Sequence, residues 1–280
     1  MNAPVRPATA TLPHLAVEER GPVAVVRLDR PAKRNAVNDA LIASLEQFFE
    51  APPAEAKAVV LAGNGEHFCS GLDLSEHESR DAFGVMRHSQ MWHRVFEKIQ
   101  LGALPVVAAL HGGVIGGGLE LAAATHVRVA DETAFYALPE GQRGIFVGGG
   151  ATVRVGRIVG SGRLVEMMLT GRAYDAQEGQ RLGLSHYLVV QGQAFEMAMG
   201  LAEKIAGNAA LSNYAILNAI PRIEDMSMKD GLFTESLVAA LAQTGEEAGE
   251  RLRAFLERRA GRVRASPRPE GEADSAKPSG

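Results

Sequence analysis

The sequence predicts an α/β protein with parallel strands and a helical C-terminal part. Three observations predict it. Short apolar runs rich in valine recur up to about Ala151, segments of helical periodicity separate them, and helical patterns dominate after Ala151. A β-α-β order implies parallel pairing, because a parallel pair needs a long crossover, usually a helix.

The elements follow in chain order. Residues 1–14 are rich in Pro, Ala and Thr and are expected to be flexible. Pro22 to Leu28, centred on Val-Ala-Val-Val, reads as the first strand. Asn38 is placed to cap a helix over Asp39–Phe49, where Leu41, Ile42, Leu45, Phe48 and Phe49 fall at helical spacing. Ala58 to Leu61 is a second strand, ended by the turn signal Gly63-Asn64-Gly65. Ser79 to Leu101 reads as a long helix, with Met86, Met91, Trp92, Val95 and Phe96 as core or as the wall of an apolar pocket. Val106 to Leu110 is a third strand, Gly117 to Ala124 a helix, and Val127–Ala130 and Ala134–Ala137 are short strands. Helical patterns then cover Gly162–Leu169, Ala176–Leu182, Gly192–Ile205, Leu211–Ile220 and Asp230–Ala260. On the last of these, Leu232, Phe233, Leu237, Leu241, Leu252, Phe255 and Leu256 form an apolar stripe that packs either on the protein's own core or on another subunit. Residues 264–280 hold three prolines and few apolar groups and are expected to be a disordered tail.

Two glutamates stand out. Glu120 ends the run His111-Gly112-Gly113-Val114-Ile115-Gly116-Gly117-Gly118-Leu119-Glu120, and Glu140 lies in Leu138-Pro139-Glu140-Gly141. No Lys or Arg occurs between Pro105 and Val127, so Glu120 has no counter-ion close in sequence. Two carboxylates brought together in a poorly solvated site have their pKa values pushed apart, so that one acts as base while the other stays protonated as acid. The alternative is that both are surface residues near helix ends.

The glycine clusters do not read as a nucleotide fold. No G-x-G-x-x-G follows a strand, and no G-x-x-x-x-G-K-[ST] occurs. Gly116-Gly117-Gly118 lies between a strand and a helix, where unpaired N–H groups and the helix dipole can hold an oxyanion; a tight turn with close packing explains the glycines equally well. His67-Phe68-Cys69-Ser70-Gly71-Leu72-Asp73-Leu74 has the same small-residue character. Ser70 lacks the G-x-S-x-G elbow and a nearby histidine, and Cys69 reads as a packed thiol, so neither is favoured as a nucleophile. The 8 histidines show no zinc spacing, and His88 and His93 lie five apart, so no metal site is expected.

Composition narrows the function. With 280 residues the chain needs no staples, and its single cysteine allows no intrachain disulfide and fits a reducing compartment. A net charge of −4 speaks against a nucleic-acid or acidic-membrane surface. No apolar run reaches bilayer length, and the N-terminus lacks the apolar core of a secretory signal, so a cytoplasmic protein with no membrane partner is expected.

Four segments in order resemble the enoyl-CoA hydratase/isomerase (crotonase) family: Leu28-Asp29-Arg30-Pro31-Ala32-Lys33-Arg34-Asn35-Ala36, Phe68 to Leu74, Gly116 to Ala122, and Pro139-Glu140 followed by Gly144 and Gly148–Gly150. The resemblance spans about Val23 to Arg259. It implies a crotonase-like spiral of β-β-α turns with a helical C-terminal trimerisation region. The chain then divides into a flexible N-terminus (1–14), a spiral catalytic core (15–205), a helical oligomerisation region (206–263) and a disordered tail (264–280). The resemblance also implies a homotrimer or dimer of trimers, with the apolar stripe at the interface. The activity implied is addition of water across the 2,3 double bond of an enoyl-CoA thioester, with no cofactor beyond coenzyme A as carrier. Glu120 becomes the base and Glu140 the acid, and the Ser70 and Gly117 N–H groups become the oxyanion hole. Lys33 and Arg34 match positions near the CoA phosphates, the Ala36 main chain an adenine or pantetheine contact, and Asp73, Leu74 and Gly116 the substrate pocket. Phe255 and Arg258 match residues that reach CoA in a neighbouring subunit.

Three departures stand against the family pattern. His126 replaces an acidic residue, Leu138 replaces a polar one and makes the site wall more apolar, and Phe146-Val147-Gly148 replaces a proline-containing turn. An isomerase or thioester hydrolase of the same family is the nearest rival, and free CoA release would reveal the latter. A non-catalytic CoA-ester or RNA-binding protein is a remote one, since Asp39–Glu50 carries no Lys or Arg.

Overall fold

The chain enters the fold through a hairpin that the sequence hides. β1 (Leu15–Arg20) pairs antiparallel with β2 (Val23–Leu28), with Arg20 opposite Val23. In the computed structural model, which describes residues 12–75 and 80–257, β1 is an edge strand with four exposed residues. Its Glu18, Glu19 and Arg20 blunt that edge and mask the alternation that would have marked it as a strand.

From β2 onward the first sheet is parallel. β3 (Ala58–Gly63), β4 (Val106–Leu110), β6 (Val127–Asp131) and β9 (Tyr187–Val189) extend it in the order β1-β2-β3-β4-β6-β9. Helices cover both faces, which is why the strands read as continuous apolar runs. Ala24, Val26 and Leu28 point to the face packed by Leu41, Ile42 and Leu45 of α1 (Asp39–Glu50) and by Val95, Phe96 and Ile99 of α2 (Ala82–Gln100). Val23 and Val25 point the other way, onto α7 (Ala194–Ala206), whose Ala194, Ala198, Ala202 and Ala206 form a small-residue face against the sheet. Both early helices are capped by side chains: Asn38 accepts from the Leu41 N–H at 3.0 Å, and Asp81 from the Gly84 N–H at 2.7 Å. The Asp81 cap sets the observed start of α2 at Ala82, inside the span expected from Ser79.

A second sheet makes the spiral. After β4 the chain turns into β5 (Gly113–Ile115), and after β6 into β7 (Phe135–Ala137). β5 and β7 pair in parallel, and β8 (Tyr174–Asp175) closes the sheet antiparallel to β7. Bridges Val37–Leu72 and Cys69–Val114 carry the same stacking back to the earlier turns. The expected β-β-α repeat is therefore present, with α3 (Gly117–Ala123) following the β4-β5 pair.

The later helices are α4 (Arg154–Val159), α5 (Ser161–Thr170), α6 (Ala176–Arg181), α7, α8 (Ala210–Ile223), α9 (Met228–Gln243) and α10 (Glu246–Leu256). The single helix expected over Asp230–Ala260 is two. It starts early because Ser227 caps the Asp230 N–H, and it breaks at Gly245, which adopts an extended conformation. The stripe residues on α9 and α10 are exposed in the isolated chain: Leu237 retains 52% of its surface and Phe255 63%. Most of the 1–14 segment, all of 264–280 and Arg258 lie outside the described residues. No helix among the described residues is long and apolar enough to cross a membrane.

Candidate active site

The spiral brings Glu120 and Glu140 to one cavity. Glu120 sits in the first turn of α3, and Glu140 follows Leu138-Pro139 directly after β7. Gly116 makes the junction possible. Its φ of 53° with ψ of −123° suits glycine, and a Cβ there would lie 2.7 Å from Glu140 Oε1. The Gly116 N–H donates to the Ala137 carbonyl, 2.9 Å, which ties the start of α3 to the strand that delivers Glu140.

The two carboxylates are both buried but differently served. Glu120 Oε1 accepts the Gly149 N–H at 2.8 Å and the Ala151 N–H at 2.9 Å. Burial raises its pKa above the usual carboxylate range, while these N–H donors and the Arg154 charge pull it back. Glu140 Oε2 is buried and has no hydrogen-bond partner among the described residues. Burial pushes Glu140 up to about 7, and the neighbouring Glu120 charge pushes the same way.

The cavity holds about 550 Å³. One face of α2 lines it through Ala82, Val85, Met86, Ser89 and Trp92, as expected for the pocket helix. Ile145, Phe146 and Val147 line it as well. Phe146 is 70% exposed, and Ser89 Oγ donates to the Gly148 carbonyl at 2.6 Å, so the segment that departs from the family pattern is part of the cavity. Among the described residues no group of three His, Cys, Asp or Glu is placed to hold a metal ion.

Of the residues expected at the site, Ser70, Leu74, Gly116, Gly117, Glu120 and Glu140 line this cavity; Lys33, Arg34, Ala36, Asp73 and Phe255 do not. Ser70 needs correction as a backbone donor. Its N–H donates to the Arg34 carbonyl at 3.0 Å. The free donor of this loop is Leu72. In its parallel bridge with Val37, the Gly71 carbonyl and the Asp73 N–H face Val37, at 2.8 and 2.9 Å, so the Leu72 N–H points to the opposite side. Among the described residues, neither the Leu72 N–H nor the Gly117 N–H meets an acceptor, and both residues line the cavity. What separates Ser70 from Leu72 is the contact with Arg34, far back in the chain, which takes the Ser70 N–H and leaves that of Leu72 free.

One further expectation is overturned. Asp73 is a structural anion: its Oδ2 lies 2.9 Å from Arg30 Nη1 in a buried ion pair, and its Oδ1 accepts from the Ser75 hydroxyl at 2.6 Å. The hydroxyl and Arg30 hold its carboxyl below the usual range. The Ala36 main chain is also engaged, its N–H on the Lys33 carbonyl at 3.0 Å and its carbonyl on Arg30 Nη1 at 2.5 Å. Lys33 and Arg34 are exposed on the neighbouring turn, where Lys33 Nζ donates to Ser75 Oγ at 2.9 Å. Phe255 is exposed on α10.

The departures receive physical explanations. Leu138 is fully buried in the core and forms no part of the cavity wall. His126 bridges two elements: its Nδ1 accepts the Val106 N–H at 2.9 Å, and its Nε2 lies 2.9 Å from the Gln100 carbonyl, an acceptor, which places the proton on Nε2. A neutral imidazole thus joins the end of α2 to the start of β4, and burial lowers its pKa. Cys69 is inert, fully buried with its thiol pushed up to about 12.

A larger cavity of about 640 Å³ opens beside α7. Its two central charges are already engaged: Asp131 accepts the Thr133 and Gly192 N–H groups, and the Arg27 guanidinium stacks 3.9 Å from the centre of the Phe195 ring. Size does not make it the reactive site; the paired carboxylates and free N–H groups lie in the smaller cavity.

A β-β-α spiral with two buried glutamates beside two unpaired N–H groups defines a site for acid–base chemistry on a carbonyl compound. Residues 18–263 match the enoyl-CoA hydratase/isomerase family. The chain is 33% identical over 249 residues to the 2,3-dehydroadipyl-CoA hydratase of Escherichia coli, covering 88% of this chain and 96% of that protein. It is 31% identical over 256 residues to the short-chain-enoyl-CoA hydratase of Clostridium acetobutylicum, covering 89% and 96%. The crystal structure of a putative enoyl-CoA hydratase from Rhodopseudomonas palustris superposes with a TM-score of 0.87 at 51% identity, covering 91% of this chain and 98% of that one. The chain belongs to the enoyl-CoA hydratase/isomerase family and shares its crotonase fold; it is an enzyme of CoA thioesters.

Proposed function

We propose that this enzyme hydrates 2-enoyl-CoA thioesters by a two-glutamate mechanism. One observation carries the reading: two buried carboxylates in unlike surroundings face one cavity beside the free Leu72 and Gly117 N–H groups. The thioester carbonyl oxygen accepts from these two N–H groups. Water lies between the carboxylates. Glu120, ionised, takes a proton as the water oxygen bonds to C3, and the C2–C3 π electrons move onto the thioester oxygen. As the enolate collapses, protonated Glu140 delivers its proton to C2. The two glutamates end with exchanged protonation states and reset through solvent. No cofactor beyond the CoA carrier enters the scheme. Each oxyanion donor is worth roughly 10²–10³ in rate, and the positioned acid and base roughly 10²–10⁴.

Lys33 and Arg34 are the contacts we assign to the CoA phosphates, with Phe255 and Arg258 reaching CoA from a neighbouring subunit. The uncovered stripe on α9 and α10 supports a trimer or dimer of trimers, because exposed leucines and phenylalanines in such a row call for a covering surface. The single cysteine, a buried free thiol, fits a cytoplasmic setting.

The test is to mix the protein with crotonyl-CoA and follow the conjugated enoyl-thioester absorbance alongside free thiol. Absorbance loss without thiol release is the expected result. Thiol release would make the enzyme a hydrolase. Absorbance appearing with a 3-enoyl-CoA, and none lost with any 2-enoyl-CoA, would make it an isomerase.

A further inference from the structure

Glu120 is only as well placed as the turn that holds it. Both of its hydrogen-bond donors come from Gly149 and Ala151, and the Gly150 N–H also lowers its pKa, so three successive N–H groups face the carboxylate. That turn, Gly148 to Ala151, belongs to no helix or strand, and three of its four residues are glycine, the residue with the most conformational freedom to lose.

Arg154, the first residue of α4, closes over this turn. Its Nη1 donates to the Gly149 carbonyl at 3.1 Å. That carbonyl belongs to the same peptide group as the Gly150 N–H, so the guanidinium polarises a peptide whose N–H faces Glu120. The guanidinium is fixed from behind: its Nε donates to Gln100 Oε1 at 2.7 Å, and the Gln100 main-chain carbonyl is the one engaged by His126. No carboxylate among the described residues touches Arg154. Burial lowers its pKa, and the through-space charges that sustain its protonated form are Glu120 first and Glu97 second.

We propose that Arg154 is a positioning residue for the base: it locks the Gly148–Ala151 turn onto Glu120 and keeps Glu120 ionised. Gln100 and His126 brace it, which gives the histidine that replaces the family's acidic residue a place two contacts behind Arg154. The inference rests on the reading of Glu120 as base.

The test uses Arg154→Met and Arg154→Lys in the full chain. The pKa of Glu120 is read by infrared titration of the carboxylate band, assigned by difference against Glu120→Gln, and needs no substrate. In parallel, kcat and KM for crotonyl-CoA are measured from pH 5 to 9. Arg154→Met is expected to raise the Glu120 pKa and the acid limb of kcat/KM by about one pH unit, as loss of a nearby opposite charge does. Its kcat at neutral pH is expected to fall about 10- to 100-fold with KM little changed. Arg154→Lys is expected to restore the pH limb while leaving much of the kcat loss, since an ammonium cannot reproduce the planar fork. An unmoved Glu120 band, or a loss confined to KM, would overturn the proposal. If Arg154→Met does not fold, Gln100→Leu, which removes the brace and keeps the charge, must lower kcat without moving the pH limb. Wild-type protein that hydrates no 2-enoyl-CoA defeats the parent reading; wild-type that hydrates beside an Arg154→Met variant with an unshifted limb defeats this inference alone.

Discussion

Glu120 stands in a helical first turn and accepts two backbone N–H groups from a turn that Arg154 clasps, whereas Glu140 follows a proline in a loop and leaves one oxygen buried with no donor. Both are buried, so desolvation acts on both. Three backbone N–H groups and the Arg154 charge offset it at Glu120, whereas at Glu140 the offset comes from its own backbone N–H and the Arg143 charge, and the Glu120 charge works against them. Burial alone therefore does not decide which carboxylate is acid and which is base. The distribution of N–H donors does, and with two coupled groups in one cavity the proton settles on the side with fewer of them.

The largest effect that can break this comparison comes from removing each carboxylate in turn. Glu120→Gln and Glu140→Gln are each expected to lower hydration by about 10³-fold or more while CoA-thioester binding persists. The variants are expected to differ in one respect. A 3-hydroxyacyl-CoA in deuterated water should still exchange its C2 proton in Glu120→Gln, because Glu140 alone handles that proton, and should not do so in Glu140→Gln. Exchange that survives loss of Glu140 would reverse the assignment.

Much of this site is legible in the sequence. The apolar runs gave the parallel strands because both sheet faces are covered, and the glycine runs flagged the segments where backbone meets ligand. What stayed hidden depends on contacts distant in sequence. Strand β1 hid behind its charged edge. The Ser70 N–H is lost to Arg34, 36 residues before it in the chain, and no pattern within Phe68–Leu74 announces that. The counter-charge of Glu120 also comes from afar, since Arg154 follows it by 34 residues. Leu138 and Asp73 share one lesson: a position beside a motif can belong to the core, and only burial tells which.

A smaller change sharpens the Glu120 side. A Cβ on Gly149 would lie 2.7 Å from Glu120 Oε2 and 3.1 Å from the Phe96 ring. The carboxylate must shift to admit it. Gly149→Ala is expected to fold and to lose roughly 10- to 100-fold in kcat, the scale of a misplacement near 1 Å. Wild-type turnover in that variant would mean that the Gly149 contact does not aim the base.

The smallest effect concerns Glu140 and appears in stability rather than rate. Its carboxyl is raised from an ordinary value of 4.5 to about 7, chiefly by burial, so the folded state binds its proton more tightly than the unfolded chain. That contribution to stability is fully present below about pH 4.5, fades as pH rises, and is gone above about 7. Glutamine keeps the shape and cannot ionise. Relative to wild type, Glu140→Gln should therefore gain stability as pH climbs from 5 to 7 and hold a constant advantage of roughly 2–3 kcal/mol above that. In a chain of this size this is a rise in Tm of about 5 °C or more. The inactive variant is expected to be the more stable one at pH 8 and to lose its advantage at pH 4.5. The same orphaned oxygen that keeps Glu140 protonated for proton delivery is what makes its ionised form costly. A Glu140→Gln protein that melts below wild type at pH 8 would mean that the carboxylate has a donor in solution, and the asymmetry between the two glutamates would then need another cause.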